Sequence, residues 1–223
     1  LFDTPLLMCR NQGLSMEQRA AKRVLDIIVS GLGIIVSSPI MLIIAIAVKA
    51  YDGGPVFYLQ DRLTYQGKEF RIRKFRSMCV DSEKNGARLA SKHDSRITPV
   101  GHVLRNLHLD ELPQLFNVFA GDMSLVGPRP ERDMIMQEYE QEIPEFHYRL
   151  KVKAGLTGYA QVYGKYNTTP YDKLKLDLFY IENYSFLLDI KLLFMTVKIF
   201  FQKEVSEGVD DDQKNALKDS QDK

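Results

Sequence analysis

Asp110 and Glu111 form an adjacent pair of carboxylates that suits chemistry at a phosphoryl group. A carboxylate that attacks phosphorus gives a covalent acyl phosphate, and carboxylate oxygens are ligands that Mg²⁺ prefers. The pair precedes Pro113, and acids followed by a proline predict the start of a helix, where phosphate is attracted. The same acids suit an ordinary helix cap, so the local sequence leaves both interpretations open.

Basic residues that could neutralise the oxygens of a diphosphate occur in three places. They are the segment Lys74-Phe75-Arg76, Arg105 and Arg129. Pro128 and Pro130 flank Arg129 and stiffen its backbone, so its guanidinium can be aimed at little entropic cost. A plain surface arginine is the alternative at that position. The histidines and cysteines have no metal-ligand spacing, and the sequence contains no Walker loop, GxSxG or GxGxxG motif.

The composition is that of a globular protein with a mildly basic body. Hydrophobic residues make up 45% of the 223 residues and charged residues 26%, as in ordinary domains. Four lysines and seven acids lie between Lys203 and Lys223, which gives this tail a net charge of −3 and leaves about +4 on the rest. That balance suits an anionic partner and is too weak to predict nucleic-acid binding. Two cysteines are too few for a disulfide framework and indicate a reducing compartment.

One hydrophobic segment is unusual for a soluble protein. Residues 27–48 form a run of 22 residues without a charge. As a straight helix this run is about 33 Å long, enough to cross a bilayer core of about 30 Å. Pro39 lies near its middle and removes a helix hydrogen bond, and the preceding Ser38 can satisfy freed backbone groups locally.

Basic residues flank this run on both sides, with Arg19, Lys22 and Arg23 before it and Lys49 after it. Because positive charge tends to stay on the cytoplasmic side, we expect a re-entrant helix that bends at Ser38-Pro39 and returns to the same face. A straight span and a buried helix of a soluble domain are the alternatives.

The rest of the chain predicts an α/β domain with a small, irregular sheet. Strands are expected at 56–58, 70–75 and 123–126, and helices at 109–119, 131–140 and 170–184. Residues 81–96 are expected to form a polar surface helix or loop. Residues 185–202 carry an apolar side that suits the membrane interface, with a core helix as an equal alternative.

We divide the chain into four parts on this basis. They are a linker from a preceding region (1–14), a re-entrant membrane helix (15–49), a cytoplasmic catalytic domain with interfacial amphipathic helices (50–202) and an acidic tail without fixed structure (203–223).

Nine short motifs run in a fixed order from about residue 20 to residue 202. They are Lys22-Arg23-Val24-Leu25-Asp26, Ser38-Pro39, Gly53-Gly54-Pro55-Val56, Lys74-Phe75-Arg76-Ser77-Met78, Arg96-Ile97-Thr98-Pro99-Val100-Gly101, Leu109-Asp110-Glu111-Leu112-Pro113-Gln114-Leu115, Met123-Ser124-Leu125-Val126-Gly127-Pro128-Arg129-Pro130, Gly158-Tyr159-Ala160-Gln161-Val162 and Asp177-Leu178-Phe179-Tyr180. Together they resemble the bacterial sugar transferases, which are monotopic polyprenyl-phosphate phosphoglycosyl transferases. The similarity is to members that initiate exopolysaccharide or capsule synthesis. Asp3-Thr4-Pro5-Leu6-Leu7 resembles the junction after the extra N-terminal region of larger members, so we expect a catalytic C-terminal part.

The resemblance implies a two-step reaction at the cytoplasmic face of a bacterial cell membrane. A UDP-sugar would transfer its phosphosugar to the Asp110 carboxylate and release UMP. The phosphate of undecaprenyl phosphate would then attack, giving undecaprenyl-diphospho-sugar as the first membrane step of exopolysaccharide or capsule synthesis. By the same resemblance, Glu111 is the Mg²⁺-associated partner, and we expect both carboxylates at the metal.

The resemblance also implies roles for residues outside the pair. Lys74, Arg105 and Arg129 match basic residues around the substrate phosphates, and we expect Arg76 beside them. Asp177 matches a recurring acid and is a candidate for an additional site residue. The expected partners are UDP-sugar, undecaprenyl phosphate and membrane lipid, with a homo-oligomer left open and no nucleic acid.

Two other functions remain alternatives. One is an integral transferase in which polyprenyl phosphate attacks the UDP-sugar directly, although such enzymes have many spans and this chain offers one hydrophobic segment. The other is a non-catalytic membrane scaffold that recruits polysaccharide enzymes. The sequence does not distinguish glucose, galactose and an N-acetylated sugar as the substrate.

Overall fold

The computed structural model describes residues 14–80, 82, 94–164 and 168–200. These residues fall into two compact units. The first unit comprises the described parts of 1–36, 59–72 and 114–197, and the second those of 37–58, 73–113 and 198–223.

Helices and short strands alternate along the described chain. In order they are α1 Met16–Asp52, β1 Phe57–Leu63, β2 Glu69–Phe75, α2 Pro99–Asn106, α3 Gln114–Ala120, β3 Ser124–Val126, α4 Asp133–Glu142, β4 Gly155–Thr157, α5 Tyr159–Tyr163, α6 Pro170–Glu182 and α7 Phe186–Phe200. Segments of 3-10 helix lie at Tyr65–Gly67, Leu109–Glu111 and Pro144–Lys151. β1 pairs with β2 in one two-stranded sheet, and β3 pairs in parallel with β4 in another. The predicted mixture of helices with a small sheet is confirmed.

Helix α1 is long, apolar and largely exposed. The spacing of Ser15 and Gln18 predicts a capping box at its N-terminus, and the structure has one: Gln18 N–H donates to Ser15 Oγ (3.2 Å), and Ser15 N–H donates to Gln18 Oε1 (2.9 Å). By length and composition α1 can cross a membrane, and its most apolar 18-residue window is only 17% buried. That exposure argues against a helix of the protein core, which was one of the alternatives.

Pro39 lies inside α1, and the helix continues through it as one element. The break expected at Ser38-Pro39 is therefore not a separation into two helices. The re-entrant path of this helix in a membrane stays a prediction.

A buried ion pair fixes the first part of α1 to the first unit. Lys22 Nζ donates to Asp189 Oδ2 of α7 at 2.6 Å, and Tyr180 O–H of α6 donates to Asp189 Oδ1 at 2.7 Å. The Lys22 and Asp189 side chains are 6% and 1% exposed. A buried carboxylate needs such a counter-charge, because an unpaired buried charge is strongly destabilising.

Two further residues of α1 reach the backbone of neighbouring elements. Arg23 donates to the carbonyls of Val118 and Phe119, both at 2.8 Å, in the last turn of α3, where helical carbonyls have no partner within the helix. The Asp26 carboxylate accepts from Oγ of Ser124 (3.0 Å) and from the following N–H (2.9 Å) in β3. The charged motif that precedes the hydrophobic run thus anchors α1 to α3, β3 and α7.

The hydrophobic core lies in the first unit, around the parallel pair β3–β4. Fully buried apolar side chains come from several elements, namely Val118, Met123, Val126, Phe146, Tyr180 and Leu192. The strand ends approach so closely that a Cβ at Gly155 would lie 2.1 Å from the Gly127 nitrogen. Glycine at position 155 therefore allows the backbone contact that joins the two strands.

Helix α7 has a buried side and an exposed apolar side. Leu192 and Asp189 are fully buried, whereas Leu187 is 76% exposed and Phe194 74% exposed. One side of α7 belongs to the core, as one of the two alternatives predicted. The exposed apolar side suits the membrane interface, and that location stays a prediction.

In the second unit, helix α2 starts against the chain that follows β2. Thr98 Oγ1 caps α2 by accepting from Gly101 N–H at 2.9 Å, and Pro99 occupies the first turn. A Cβ at Gly101 would lie 1.9 Å from the carbonyl oxygen of Ser77. This close contact fixes α2, and hence Arg105 in its last turn, relative to the end of β2.

Several predictions fall on residues outside the described chain. These are the acidic tail at 203–223, nearly all of the linker at 1–14, and residues 81 and 83–93 of the polar segment. The four-part division of the chain stays a prediction.

Candidate active site

A short 3-10 turn carries Asp110 and Glu111. The chain leaves α2 and reverses direction at His108, which adopts the left-handed conformation with φ 51° and ψ 20°. A non-glycine residue in this region costs about 1–3 kcal/mol, and such strain tends to occur at functional sites. The reversal brings the turn back towards the last turn of α2.

The turn is separate from helix α3, contrary to the single helix expected from Leu109 onward. In an α-helix the donor to the Leu109 carbonyl would be the N–H of residue 113, but Pro113 has none. Leu112 N–H donates to that carbonyl instead, at 3.3 Å, which closes a 3-10 turn. Helix α3 begins at Gln114.

Lys74 and Glu111 form an ion pair beside Asp110. Lys74 Nζ, at the end of β2, donates to Glu111 Oε1 at 2.7 Å, and each side chain is 21% exposed. Arg105 projects from the last turn of α2 and acts electrostatically on Asp110. The structure therefore brings together four predicted site residues, all within the second unit.

The Asp110 carboxyl group is perturbed by this environment. Burial raises the pKa of Asp110 above its ordinary value of 3.8, Lys74 opposes the rise, Glu111 adds to it and Arg105 opposes it. Burial has the largest effect, so the pKa of Asp110 is raised overall. A carboxyl group with a perturbed pKa beside cations and a second acid is the arrangement expected of a reacting group.

Arg76 lies in the same unit and holds the turn that follows α1. Its Nη1 donates to Asp52 Oδ2 at 2.5 Å, its Nε donates to the Pro55 carbonyl at 2.7 Å, and its side chain is 7% exposed. This bidentate pair ties the end of α1 to the end of β2. A contact between Arg76 and substrate phosphate stays a prediction.

Arg129 and Asp177 lie in the first unit. Arg129 follows β3 and is partly buried, whereas Asp177 of α6 is 1% exposed. Asp177 Oδ2 accepts from Arg149 Nε at 2.6 Å, and Arg149 Nη2 donates to the carbonyl of Arg129 at 2.9 Å. Arg149 thus links two residues that the sequence placed in the site. Their contact with a substrate stays a prediction.

Comparison with known proteins identifies the family. A family model described as bacterial sugar transferase matches residues 17–203, which is most of the chain and includes both units. The chain belongs to the bacterial sugar transferase family. The resemblance noted in the sequence is therefore confirmed.

Several curated proteins are similar to this chain. A UDP-N-acetylgalactosamine-undecaprenyl-phosphate N-acetylgalactosaminephosphotransferase of Aeromonas hydrophila is 44% identical over 180 residues, covering 79% of this chain and 43% of the relative. A UDP-glucose:undecaprenyl-phosphate glucose-1-phosphate transferase of Klebsiella pneumoniae is 44% identical over 202 residues, covering 88% and 42%. A putative undecaprenyl-phosphate N-acetylgalactosaminyl 1-phosphate transferase of Bacillus subtilis is 44% identical over 131 residues, covering 59% and 73%.

The chain spans less than half the length of the first two relatives. Their names also differ in the sugar, which is N-acetylgalactosamine in one and glucose in the other. Similarity to these members therefore does not indicate one sugar.

The two adjacent carboxylates supply oxygen atoms of the kind that Mg²⁺ prefers. Among the described residues, no group of three or more His, Cys, Asp or Glu side chains is arranged to hold a metal. Mg²⁺ in phosphate-transferring sites is usually bound by one or two carboxylates together with substrate phosphates and water. Asp110 and Glu111 supply this number of carboxylates, so the residues present fit Mg²⁺.

Sequence reasoning did not identify Asp52, Arg149 or Asp189 as important. Each is a charged residue whose partner lies 24 or more positions away in the chain. Asp52-Gly53-Gly54-Pro55 predicts only a turn. Arg149 lies in no motif. No local spacing predicts such pairs, because they form only when the elements pack.

Proposed function

We propose that this chain transfers a phosphosugar from a UDP-sugar to undecaprenyl phosphate through a covalent aspartyl-phosphosugar intermediate. The observation that carries the proposal is the arrangement around Asp110. A perturbed carboxylate adjoins a second acid that is paired with Lys74 at 2.7 Å, and Arg105 acts on the same carboxylate. Anionic phosphate oxygens need such cations, and phosphoryl transfer needs a positioned nucleophile.

In the first step, an oxygen of the Asp110 carboxylate attacks the phosphorus that bears the sugar. A P–O bond to Asp110 forms while the P–O bond to UMP breaks, and UMP leaves with the bonding electrons as an anion. The positive charges of Lys74 and Arg105 stabilise the negative charge on the phosphate oxygens as it shifts to the leaving group. Arg76 and Arg129 are proposed phosphate contacts on the strength of family resemblance.

In the second step, a phosphate oxygen of undecaprenyl phosphate attacks the same phosphorus. The bond to Asp110 breaks, which restores the carboxylate and gives undecaprenyl-diphospho-sugar. Atoms and charges balance over the two steps without an oxidant or reductant. We assign this reaction to the first membrane step of exopolysaccharide or capsule synthesis.

Asp110 and Glu111 would hold Mg²⁺. When bound, the ion supplies electrostatic stabilisation of the diphosphate and of the charge on the departing UMP. Lys74 keeps Glu111 paired at one oxygen, so the carboxylate that serves the metal is held beside Asp110.

We further propose that the hydrophobic run of α1 is re-entrant and that both units lie on the cytoplasmic face. The support comes from the first unit, which contains residues on both sides of the run. Lys22 before it is paired with Asp189 at 2.6 Å, and residues 59–72 after it belong to the same compact unit. A run whose two ends return to one folded unit fits a dip into the bilayer better than a crossing.

Asp110→Asn tests the nucleophile. We expect wild-type protein incubated with UDP-glucose, UDP-galactose and UDP-N-acetylgalactosamine in turn, with Mg²⁺, to gain the mass of a phosphosugar with at least one donor. The variant should show no adduct and release UMP about 1,000-fold more slowly or worse. Asp61→Asn is the matched control, because the Asp61 side chain is 69% exposed.

The outcomes separate the rival functions. An adduct on the Asp110→Asn variant would show that another residue is the nucleophile. Turnover without any adduct, even in rapid-quench samples, would favour direct attack by the lipid phosphate. No turnover by wild-type protein with any of the three donors and undecaprenyl phosphate would favour a scaffold. The donor with the highest kcat/KM identifies the sugar.

A further inference from the structure

The loop that follows β3, residues 127–131, has a protein donor on each carbonyl from Pro128 to Glu131. The pairs are Pro128 O with Gly155 N–H (2.9 Å), Arg129 O with Arg149 Nη2 (2.9 Å), Pro130 O with Arg62 Nη1 (3.0 Å) and Glu131 O with Leu63 N–H (3.0 Å). Two of the loop residues are prolines, which have fixed φ. Surface loops commonly leave such carbonyls to water, so this loop has its path unusually well determined by the protein.

Arg149 is the more buried of the two side-chain donors. Its side chain is 3% exposed, and Asp177 on its far side is 1% exposed. One guanidinium edge meets Asp177 at 2.6 Å, and another nitrogen meets the Arg129 carbonyl at 2.9 Å. The rigid plane of a guanidinium can serve two acceptors in fixed directions, whereas an ammonium is a point charge on a flexible stem.

Glu131, the last residue of the loop, has a carboxylate that is surrounded by three cations. Lys173 pairs with Glu131 Oε1, Arg149 lies 3.7 Å from the same oxygen, and Arg62 lies 3.8 Å from Oε2. Burial alone would raise the pKa of Glu131, but Lys173, Arg149 and Arg62 outweigh it, and the pKa is lowered. Glu131 is therefore held ionised, and its ion pairs fix the second end of the loop.

We propose that Arg149 is a positioning residue for Arg129: braced by Asp177, it fixes the Arg129 backbone so that the Arg129 guanidinium meets a phosphate oxygen of the nucleoside diphosphate. Asp177 then acts through Arg149 and has no contact with substrate. The inference depends on the proposed function only for the nature of the ligand, a diphosphate. The role of Asp177 is then to hold the Arg149 guanidinium in place, which the motif around Asp177 does not indicate.

Arg149→Lys tests this assignment, because it keeps the positive charge and loses the second directed donor. The probe is UDP, which carries the diphosphate but no sugar to transfer. We expect Arg149→Lys to weaken UDP binding about tenfold, and Arg129→Ala to weaken it by a similar factor. In the Arg129→Ala background, Arg149→Lys should change UDP affinity by less than about twofold, because residues that act through one another are not additive.

Two further variants guard against a general loss of folding. Arg62→Lys removes the donor to the Pro130 carbonyl from a side chain that is 19% exposed, and the same dependence on Arg129 is expected for it. Lys173→Gln removes a cation from Glu131 but no donor to a loop carbonyl, and its effect on UDP binding should be smaller. Thermal unfolding is followed by circular dichroism, because the chain contains no tryptophan.

Equal weakening of UDP binding by Arg149→Lys in both backgrounds would overturn the inference, because a merely structural role affects both alike. UDP binding that is absent from wild type, or that is unchanged by Arg129→Ala, would overturn it as well. If Arg149→Lys does not fold, equal weakening of UDP binding by Arg62→Lys in both backgrounds would overturn the inference instead. The expected UDP pattern without a phosphosugar adduct would leave the inference standing and refute the proposed function. A phosphosugar adduct together with equal weakening of UDP binding in both backgrounds would support the proposed function and refute the inference.

Discussion

Lys74 Nζ lies 2.7 Å from Glu111 Oε1, so a carboxylate expected to serve Mg²⁺ is paired with an ammonium group of the same unit. Both side chains also act on Asp110, in opposite senses: Lys74 lowers its pKa and Glu111 raises it. The ion pair therefore balances the electrostatic environment of the proposed nucleophile. This balance has a measurable consequence for the pH dependence of the reaction.

The acid limb of the pH–rate profile should move in opposite directions in two variants. Asp110 must be ionised to attack, so the rate falls as the pH drops through its raised pKa. Lys74→Met removes a charge that lowers this pKa and should move the limb to higher pH. Glu111→Gln removes a charge that raises it and should move the limb to lower pH. The measurement is kcat/KM for UMP release against pH.

Both substitutions should also reduce the plateau rate at least about tenfold, because they remove a phosphate contact or a metal ligand. Only the position of the limb is therefore compared. Arg71→Met is the control, because its side chain is 72% exposed and pairs only weakly with exposed Asp61. Limbs that move together, or that stay fixed in both variants, would show that Asp110 does not control the profile.

Asp110→Asn should make the protein more stable while it removes activity. Folding raises the Asp110 pKa, so the ionised carboxylate is less favourable in the folded than in the unfolded chain. The neutral amide removes this cost and should raise the free energy of unfolding by roughly 0.5–2 kcal/mol at pH 7. Thermal melts by circular dichroism measure the change.

The sign of this effect can be checked by pH. The cost of ionised Asp110 grows as pH rises from the unfolded value of 3.8 through the folded pKa, and is then constant. The stability advantage of Asp110→Asn should therefore shrink as the pH is lowered towards 4. A variant that melts below wild type at pH 7 would contradict the argument, and Asp61→Asn should melt as wild type does.

The buried pair of Lys22 and Asp189 should behave as a unit. Lys22→Met leaves the Asp189 carboxylate, 1% exposed, without its counter-charge and should lower the free energy of unfolding by about 3–5 kcal/mol. The double variant Lys22→Met/Asp189→Leu should recover most of that loss, because it removes both charges. Urea unfolding followed by circular dichroism gives the values.

The loss in Lys22→Met should also depend on pH. Burial already raises the pKa of Asp189, and Lys22 is the charge that opposes the rise most. Without Lys22 the pKa rises further, so the destabilisation should grow as pH rises and shrink in acid. Lys191→Met, on an exposed part of the same helix, is the matched control. A double variant no more stable than Lys22→Met would show that the anchor depends on more than paired charge.

The sequence predicts local features of this fold well and long-range pairs poorly. Ser15 and Gln18 are three positions apart, and their capping box forms as predicted because both partners lie in one helical turn. Lys22 and Asp189 lie 167 positions apart, and nothing near either residue identifies the other. Arg76 shows the same limit, because nothing near it in the sequence identifies Asp52, 24 positions away, as its partner.

The candidate site shows a similar division. The sequence singled out Lys74, Arg105 and the carboxylate pair, and the structure brings these residues together in one unit. The sequence predicts one continuous helix, whereas the pair lies in a separate 3-10 turn. The cause is Pro113, which lacks the N–H that a continuous helix requires. The reversal at His108 has no such local signal, because positive φ is uncommon for any residue other than glycine, although histidine adopts it more often than most.

The path of α1 through the bilayer gives the last prediction. The helix has 37 residues, about 55 Å, and most of its apolar window is exposed. If the run is re-entrant, residues before and after it lie on the same side. Single cysteines at Glu17 and Ala50, in a chain with Cys9 and Cys79 replaced by serine, should both resist a membrane-impermeant maleimide in spheroplasts. Both should react in inverted membrane vesicles.

A straight span gives a different labelling pattern, since one of the two cysteines would then react in spheroplasts. Pro39→Ala supplies the comparison within the same helix. Restoring the hydrogen bond that Pro39 removes favours a straight helix by up to about 3 kcal/mol, so this variant should show more labelling at one end from outside. Labelling of only one cysteine in spheroplasts of the Pro39-containing chain would refute the re-entrant path, and labelling of both would refute the cytoplasmic face.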